Sequence, residues 1–266
     1  MLSNLHTHST FCDGKSTPED VVLSAIEKGF CSIGFSGHAY LDFDQSYCMR
    51  DTDGYIAEIK RLKDKYKDKI QIYLGAEEEA GWTVCRENFD YIIGSCHYFI
   101  KNEEYYPIDI SVDGFKKCLE LFGNDPVKLA DSYYKTFCEY IDKRRPDIIG
   151  HFDLITKFDE VLDYPLLGNE EYNKLAERYI ALAAEYDCFF EINTGAISRG
   201  YRTSPYPATN LLRVLKEKNA KIILSSDSHH ADTISHSFDK AKDILKEVGF
   251  EYTYLLFDGR FIKDYL

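Results

Sequence analysis

Leu5-His6-Thr7-His8-Ser9 sets two imidazoles two residues apart, directly behind an apolar residue. In an extended chain, positions i and i+2 share a face. His6 and His8 can therefore close on one cation, a geometry that a helix offers only at i and i+4. Two solvated histidines would read the same way, so the meaning of the pair depends on what the rest of the chain places beside it.

Outward from this stretch, strand-like apolar runs alternate with helical patterns. Thr17-Pro18-Glu19-Asp20 supplies an N-cap, a proline at N1 and acids in the first turn, which predicts a helix to about Lys28 that stops at Gly29. Further strands are predicted over 31–36, 70–75, 89–94, 147–150, 188–192 and 220–225, with a last one over 252–257. Helices are predicted over 53–69, 112–122, 126–144, 170–186 and 237–248, and one more ends near 218. The Tyr-rich stretch through Asp109 reads as irregular. Such alternation is the mark of an α/β fold with mainly parallel strands. No linker, low-complexity segment or repeat divides the 266 residues, so a single domain over 1–266 is expected.

Thirty-two Lys and Arg stand against 45 Asp and Glu, a net charge of -13. That balance argues against a nucleic-acid polymer or an anionic membrane as the main partner. No apolar run approaches the roughly 20 residues of a membrane span, and no signal peptide precedes the first strand. The eight cysteines form no C-x-x-C pair, which predicts reduced thiols and a cytoplasmic location. Most read as small core residues, with Cys96 placed near a site by its neighbour His97.

Seven successive strands end at or beside a metal-binding residue: His6 and His8, His38, Glu77, His97, His151, Glu191, then Asp227 and His229. Six of the eight histidines fall at these ends. In a barrel of parallel strands the ends converge on one face, where the active sites of that architecture lie. Imidazole with carboxylate suits zinc, iron or manganese, and a set without thiolate suits a catalytic rather than a sealed site. The set exceeds the roughly four ligands of one tetrahedral ion, so two or three divalent metals are implied, with Glu77 best placed to bridge two of them.

These motifs, namely His6-Thr7-His8-Ser9 with Asp13, Gly37-His38, Gly75 to Glu77, Ser95-Cys96-His97, Gly150-His151-x-Asp153, Glu191-Ile192-Asn193 and Ser226-Asp227-Ser228-His229, resemble in order those of the polymerase and histidinol phosphatase (PHP) superfamily. The resemblance implies a distorted (β/α)7 TIM-like barrel with a trinuclear metal centre at the C-terminal ends of the strands. Carried over, one metal takes His6, His8, Glu77 and Asp227, the second Glu77, His97 and His151, and the third Asp13, His38 and His229. Some members have a histidine where this chain has Asp13, which would give the third metal a harder ligand. Asp13-Gly14 also reads as an ordinary Asx turn.

Around the metals, Arg199, Arg202 and Lys157 are the candidate phosphate-binding cations. Glu191 must be paired if buried between Phe190 and Ile192, which makes it a site residue beside the metals or a substrate contact. Asp153 and His230 are candidate acids for the leaving alcohol. Strand alternation points Glu78 away from the site and Glu79 toward its edge. Tyr40, Tyr98, Tyr105, Tyr106 and Tyr206 are candidates for a pocket wall. The resemblance implies a phosphomonoesterase acting on L-histidinol phosphate, a small-molecule substrate. It is favoured within the superfamily by a compact chain, by Glu191-Ile192-Asn193-Thr194 and by the arginine loop that follows. Another small phosphomonoester, such as phosphotyrosine or a nucleotide, and a non-catalytic metal-binding module are the alternatives.

Overall fold

The computed structural model describes residues 1–162 and 166–266. Its strands are β1 (Ser3–Asn4), β2 (Ser32–Phe35), β3 (Gln71–Glu79), β4 (Tyr91–Ser95), β5 (Tyr98–Lys101), β6 (Glu104–Pro107), β7 (Ile148–Ile149), β8 (Phe189–Asn193), β9 (Lys221–Ser225), β10 (Tyr252–Phe257) and β11 (Arg260–Tyr265). Nine of them form one sheet in the order β1-β2-β3-β4-β7-β8-β9-β10-β11. Every neighbouring pair is parallel except β10 and β11. The sheet curls until the continuation of β1 meets that of β9. There Thr7 bridges Ser228 in parallel, the His8 amide donates to Ser228 O at 2.8 Å, and the Ser228 amide donates to His6 O at 3.2 Å. The fold is the expected TIM-like barrel, and this closure is what carries His6 and His8 across to Asp227.

Helices α1 (Pro18–Glu27), α2 (Thr52–Lys65), α3 (Val112–Leu121), α4 (Pro126–Arg144), α5 (Glu170–Ala183), α6 (Gly195–Ser198), α7 (Thr209–Glu217) and α8 (Phe238–Val248) connect the strands. The start of α1 is a capping box, in which the Thr17 hydroxyl accepts from the Asp20 amide and the Asp20 carboxylate accepts from the Thr17 amide. Inside the barrel, Leu5, Tyr91, Ile93, Ile148, Ile223 and Leu256 pack together in one buried cluster. Tyr91 spans this interior and donates its hydroxyl to Leu5 O. A Cβ at Gly75 would stand 2.3 Å from the Tyr91 ring, so the glycine is what lets the ring cross. Among the described residues no helix is long and apolar enough to cross a membrane.

Two departures from the sequence reading concern hairpins. Residues 98–109 are not irregular, since β5 and β6 pair antiparallel from Tyr98↔Pro107 to Lys101↔Glu104. The turn places Asn102 and Glu103 at φ 52° and 65° without a glycine, which removed the usual turn signal. After β10, Asp258-Gly259 turns the chain back with φ 47° and 69°, and β11 pairs with β10 along its whole length. Asp-Gly is the favoured type I′ dipeptide, so this second hairpin was legible.

Candidate metal centre

Because β3 continues through Glu79 and the other parallel strands stop at the same level, their final residues face one another. Alternation along β3 turns Glu77 inward, where its carboxylate lies between rings from four other segments. Glu77 Oε2 is 3.2 Å from His6 Nε2, 3.5 Å from His8 Nε2 and 2.9 Å from His38 Nδ1, while Oε1 is 3.1 Å from His151 Nε2 and 3.6 Å from His97 Nε2. Across from it, Asp227 Oδ1 is 3.7 Å from His6 Nε2 and 3.2 Å from His8 Nε2. A tetrahedral ion with bonds of about 2.1 Å has ligand-to-ligand edges of roughly 3.4 Å. The four His-to-carboxylate edges among His6, His8, Glu77 and Asp227, of the six that four ligands define, straddle that value.

The chemistry of these atoms fits a cation. His6 Nε2, His8 Nε2, Glu77 Oε2 and Asp13 Oδ1 are buried polar atoms without a hydrogen-bond partner, and four such atoms gathered in one cluster are accounted for by bound ions. Ligand-type atoms within 4.8 Å of one another form four overlapping groups: His6, His8 and Asp227; His6, Glu77 and His151; His38, Glu77 and His97; and His8, Asp13, His38 and His229. All nine residues expected as metal ligands are thus brought together. The grouping differs in detail from the expected one, because His38 reaches Glu77 through Nδ1 and faces Asp13 Oδ1 at 3.7 Å through Nε2. Asp13 Oδ2 completes that corner at 3.0 Å from His229 Nε2.

Burial would push the Glu77 carboxyl up, but His6, His38 and His97 hold it well below the usual range. Asp227 is likewise held down against burial by Arg199 and His6. Burial lowers the His6 imidazole, yet Glu191, Glu77 and Asp227 together raise it well above its ordinary value. His97 rises to about 10 for the same reason, with Glu77 and Glu79 overcoming burial. His8 goes the other way, to about 3, through burial and the neighbouring His229 and His38 rings.

A further layer fixes the rings. His6 Nδ1 donates to Glu191 Oε1 at 2.6 Å, and Glu191 Oε2 accepts from the His151 amide and from Asn193 Nδ2, both at 2.9 Å. Glu191 therefore stands behind His6, with every one of these contacts inside the protein. Glu79 takes the same part for His97, accepting from Nδ1 at 2.7 Å and from the backbone amide at 3.0 Å. Such partners set the tautomer and raise the basicity of a ligating imidazole.

Above the cluster lies a cleft of about 300 Å³. Arg199 enters it, with Nη2 donating to Asp227 Oδ2 at 2.9 Å and Nη1 to Asp227 O at 3.0 Å. Lys157 lines it too, its Nζ donating to Asp109 O at 2.6 Å and Oδ2 at 3.0 Å. Arg202 and Asp153 do not line it. They face each other at 3.7 Å with both side chains fully buried, Arg202 donating to Thr156 Oγ1 at 2.7 Å and Asp153 accepting from the Ala208 amide at 3.0 Å. His230 follows His229 in sequence but opens a 3-10 turn over Ala231–Thr233 that swings its side chain outward, 53% exposed, to accept from the Asp232 amide.

Of the expected tyrosines, Tyr98 lines the cleft, while Tyr40 is largely exposed and Tyr206 is buried beside Arg202. Cys96 is packed in the main hydrophobic core. Sequence reasoning missed Tyr47 and Asp109, both in the cleft wall. Tyr47 lies in an irregular loop with no periodicity to place it. Asp109 follows the hairpin that the sequence did not reveal.

A family model described as the PHP domain matches residues 4–195. The chain belongs to the PHP domain family. The matched region of this PHP chain stops short of Asp227 and His229, but similarity to whole relatives continues past them. The protein of Schizosaccharomyces pombe named "Probable histidinol-phosphatase" is 32% identical, over 92% of this chain and 86% of that one. Histidinol-phosphatase of Bacillus subtilis is 24% identical over 88% and 96%. Among solved structures, the PHP chain superposes with a TM-score of 0.71 on histidinol phosphate phosphatase of Lactococcus lactis complexed with zinc, L-histidinol and phosphate, at 21% identity over 98% of each chain.

Proposed function

We propose that this PHP protein is a metal-dependent phosphomonoesterase that hydrolyses L-histidinol phosphate to L-histidinol and phosphate. The carrying observation is the set of unpartnered, buried ligand atoms at near-tetrahedral spacing, opening onto a cleft that also holds Arg199. The names of two relatives that each match most of this chain support the substrate. Three divalent ions, of zinc, iron or manganese, would be held: one by His6, His8, Glu77 and Asp227, one by Glu77, His97 and His151, and one by Asp13, His38 and His229. When bound, such ions supply Lewis acidity to the phosphoryl group and to the attacking water.

The protein's own share is positioning and charge. Glu191 and Glu79 orient His6 and His97. Arg199 presents a guanidinium already fixed by Asp227, so a phosphate oxygen meets a donor that has little freedom left to lose. Lys157 can join it by leaving Asp109. Arg202, Asp153 and His230 lie outside the cleft, and we leave them out of the reacting set. We place residues 1–266 in one barrel domain, and the unpaired state of all eight cysteines supports a cytoplasmic location.

Steady-state phosphate release from a panel of monoesters tests the reading. The kcat/KM for histidinol phosphate is expected to exceed that for p-nitrophenyl phosphate by at least about 100-fold, since the protein must desolvate and hold a specific alcohol. Comparable values would move the substrate elsewhere among small phosphomonoesters. A metal-loaded protein inert to the whole panel would leave a non-catalytic metal module.

Metal loading has a pH signature. Without metal, His97 is raised to about 10, and His6 and His38 are raised as well. Ions need neutral imidazoles, so binding at pH 7 is expected to release protons, and affinity should climb as pH rises. The metal-free protein should behave oppositely. The raised His97 contributes stability that is complete below its ordinary value of 6.5 and is lost as pH climbs to about 10. Calorimetric titration in buffers of different ionisation enthalpy measures the release, and zero protons at pH 7 would contradict these charge states.

A further inference from the structure

The cleft has two chemically different walls. One carries the metal-type residues and Arg199, where a phosphoryl group finds positive charge, and Lys157 also lines the cleft, held by Asp109. The other is apolar and aromatic, formed by Tyr47, Tyr98, Ile110 and Leu154. Whatever the phosphate is attached to has to lie along this second wall.

Tyr47 stands at the seam. Its ring is edge-on to His38 with centroids 4.7 Å apart and planes at 83°, and it faces the His97 ring at 6.4 Å and 61°. The loop that carries it is firmly built. Phe43 stacks on Tyr105 at 3.9 Å and 10°, and meets Tyr98 edge-on at 5.0 Å. Asp44 accepts from the Tyr98 hydroxyl at 2.7 Å and from the Ser46 amide at 2.9 Å, while the Met49 amide donates to His38 O at 3.0 Å. The loop is thus held on both sides of Tyr47, which keeps the ring beside the metal-type wall.

In histidinol phosphate the imidazole lies three carbons from the ester oxygen, a reach of roughly 5 Å. A phosphate over the metal-type wall therefore brings that ring to the height of Tyr47, where aromatic pairs are attracted in offset or edge-to-face geometry. We propose that Tyr47 is a specificity-determining residue, whose ring makes the site select phosphomonoesters with a planar aromatic group at that distance. This rests on the histidinol phosphate reading above. The phenol oxygen is not what selects, because the contact is one of ring against ring.

2-Aminoethyl phosphate is histidinol phosphate without its imidazolylmethyl arm, so the ratio of the two kcat/KM values isolates the ring. In the metal-loaded protein, Tyr47→Ala is expected to lower that ratio about ten-fold through KM, and Tyr47→Phe less than three-fold. Calorimetric affinity for L-histidinol, which binds without turnover, should fall about ten-fold in Tyr47→Ala and little in Tyr47→Phe. Equal losses on both substrates would overturn the proposal alone, because Tyr47 would then act through His38 or His97. A wild-type protein that hydrolyses 2-aminoethyl phosphate as well as histidinol phosphate would overturn the parent reading and this one with it.

Discussion

Glu77→Gln is expected to lose metal and activity together, with kcat/KM for histidinol phosphate lower by roughly 10³- to 10⁴-fold, the consequence of losing several kcal/mol of charge stabilisation. Among the described residues no other faces so many ligands, since its two oxygens address His6, His8 and His38 on one side and His97 and His151 on the other. A carboxylate can serve an ion with each oxygen, whereas an amide offers one weaker oxygen and turns an NH₂ toward imidazole nitrogens or a cation. The Ser95 hydroxyl, which donates to Glu77 Oε1 at 2.5 Å, can still donate to the amide oxygen, so the barrel itself should persist. Elemental analysis against protein concentration reads the result. A variant that keeps nearly three equivalents of metal would refute the shared role, whatever its activity.

How much of this was legible follows from the physics of strands. His6, His8, His38, His97, His151 and Asp227 could be read because each sits where an apolar run stops, and parallel strands must stop on a common face. Periodicity also separated the run Glu77-Glu78-Glu79, with alternate residues turned in and the middle one out. It could not reach residues whose place depends on irregular chain. His230 and His229 are adjacent, yet the 3-10 turn at Ala231 separates their directions. Arg202 and Arg199 sit in one loop, but only Arg199 reaches Asp227, while Arg202 is drawn under the surface by Asp153 and the Tyr206 ring. Tyr47 depends on aromatic packing between a loop and a hairpin, which is tertiary information. Glu191 was legible as a paired carboxylate, but its partners were not, because they come from residues 6, 151 and 193.

Glu78 tests whether the middle member of the acidic run is separable from its neighbours. Its side chain is fully buried on the outer side of β3, where Arg144 grips it with Nε at 2.8 Å from Oε2 and Nη2 at 2.6 Å from Oε1. The Tyr140 hydroxyl and the Val84 amide donate to the same carboxylate at 2.7 and 2.8 Å. Glu78→Ala leaves a guanidinium, a phenol and an amide without their acceptor. Breaking one side of such a pair costs about 3 kcal/mol, near the low end for buried pairs because the Arg144 side chain keeps 21% exposure. For a chain of this size that is a drop in Tm of roughly 6–12 °C. Metal content and kcat/KM at 25 °C should stay within about two-fold of wild type, since none of these groups faces the cleft. The double variant Glu78→Leu/Arg144→Met should recover part of the loss, because it removes the stranded charge along with its partner. If Glu78→Ala instead sheds metal at unchanged Tm, then the outward carboxylate is transmitting to Glu77 and Glu79 through the strand, and the division of labour along β3 is not the one that alternation assigns.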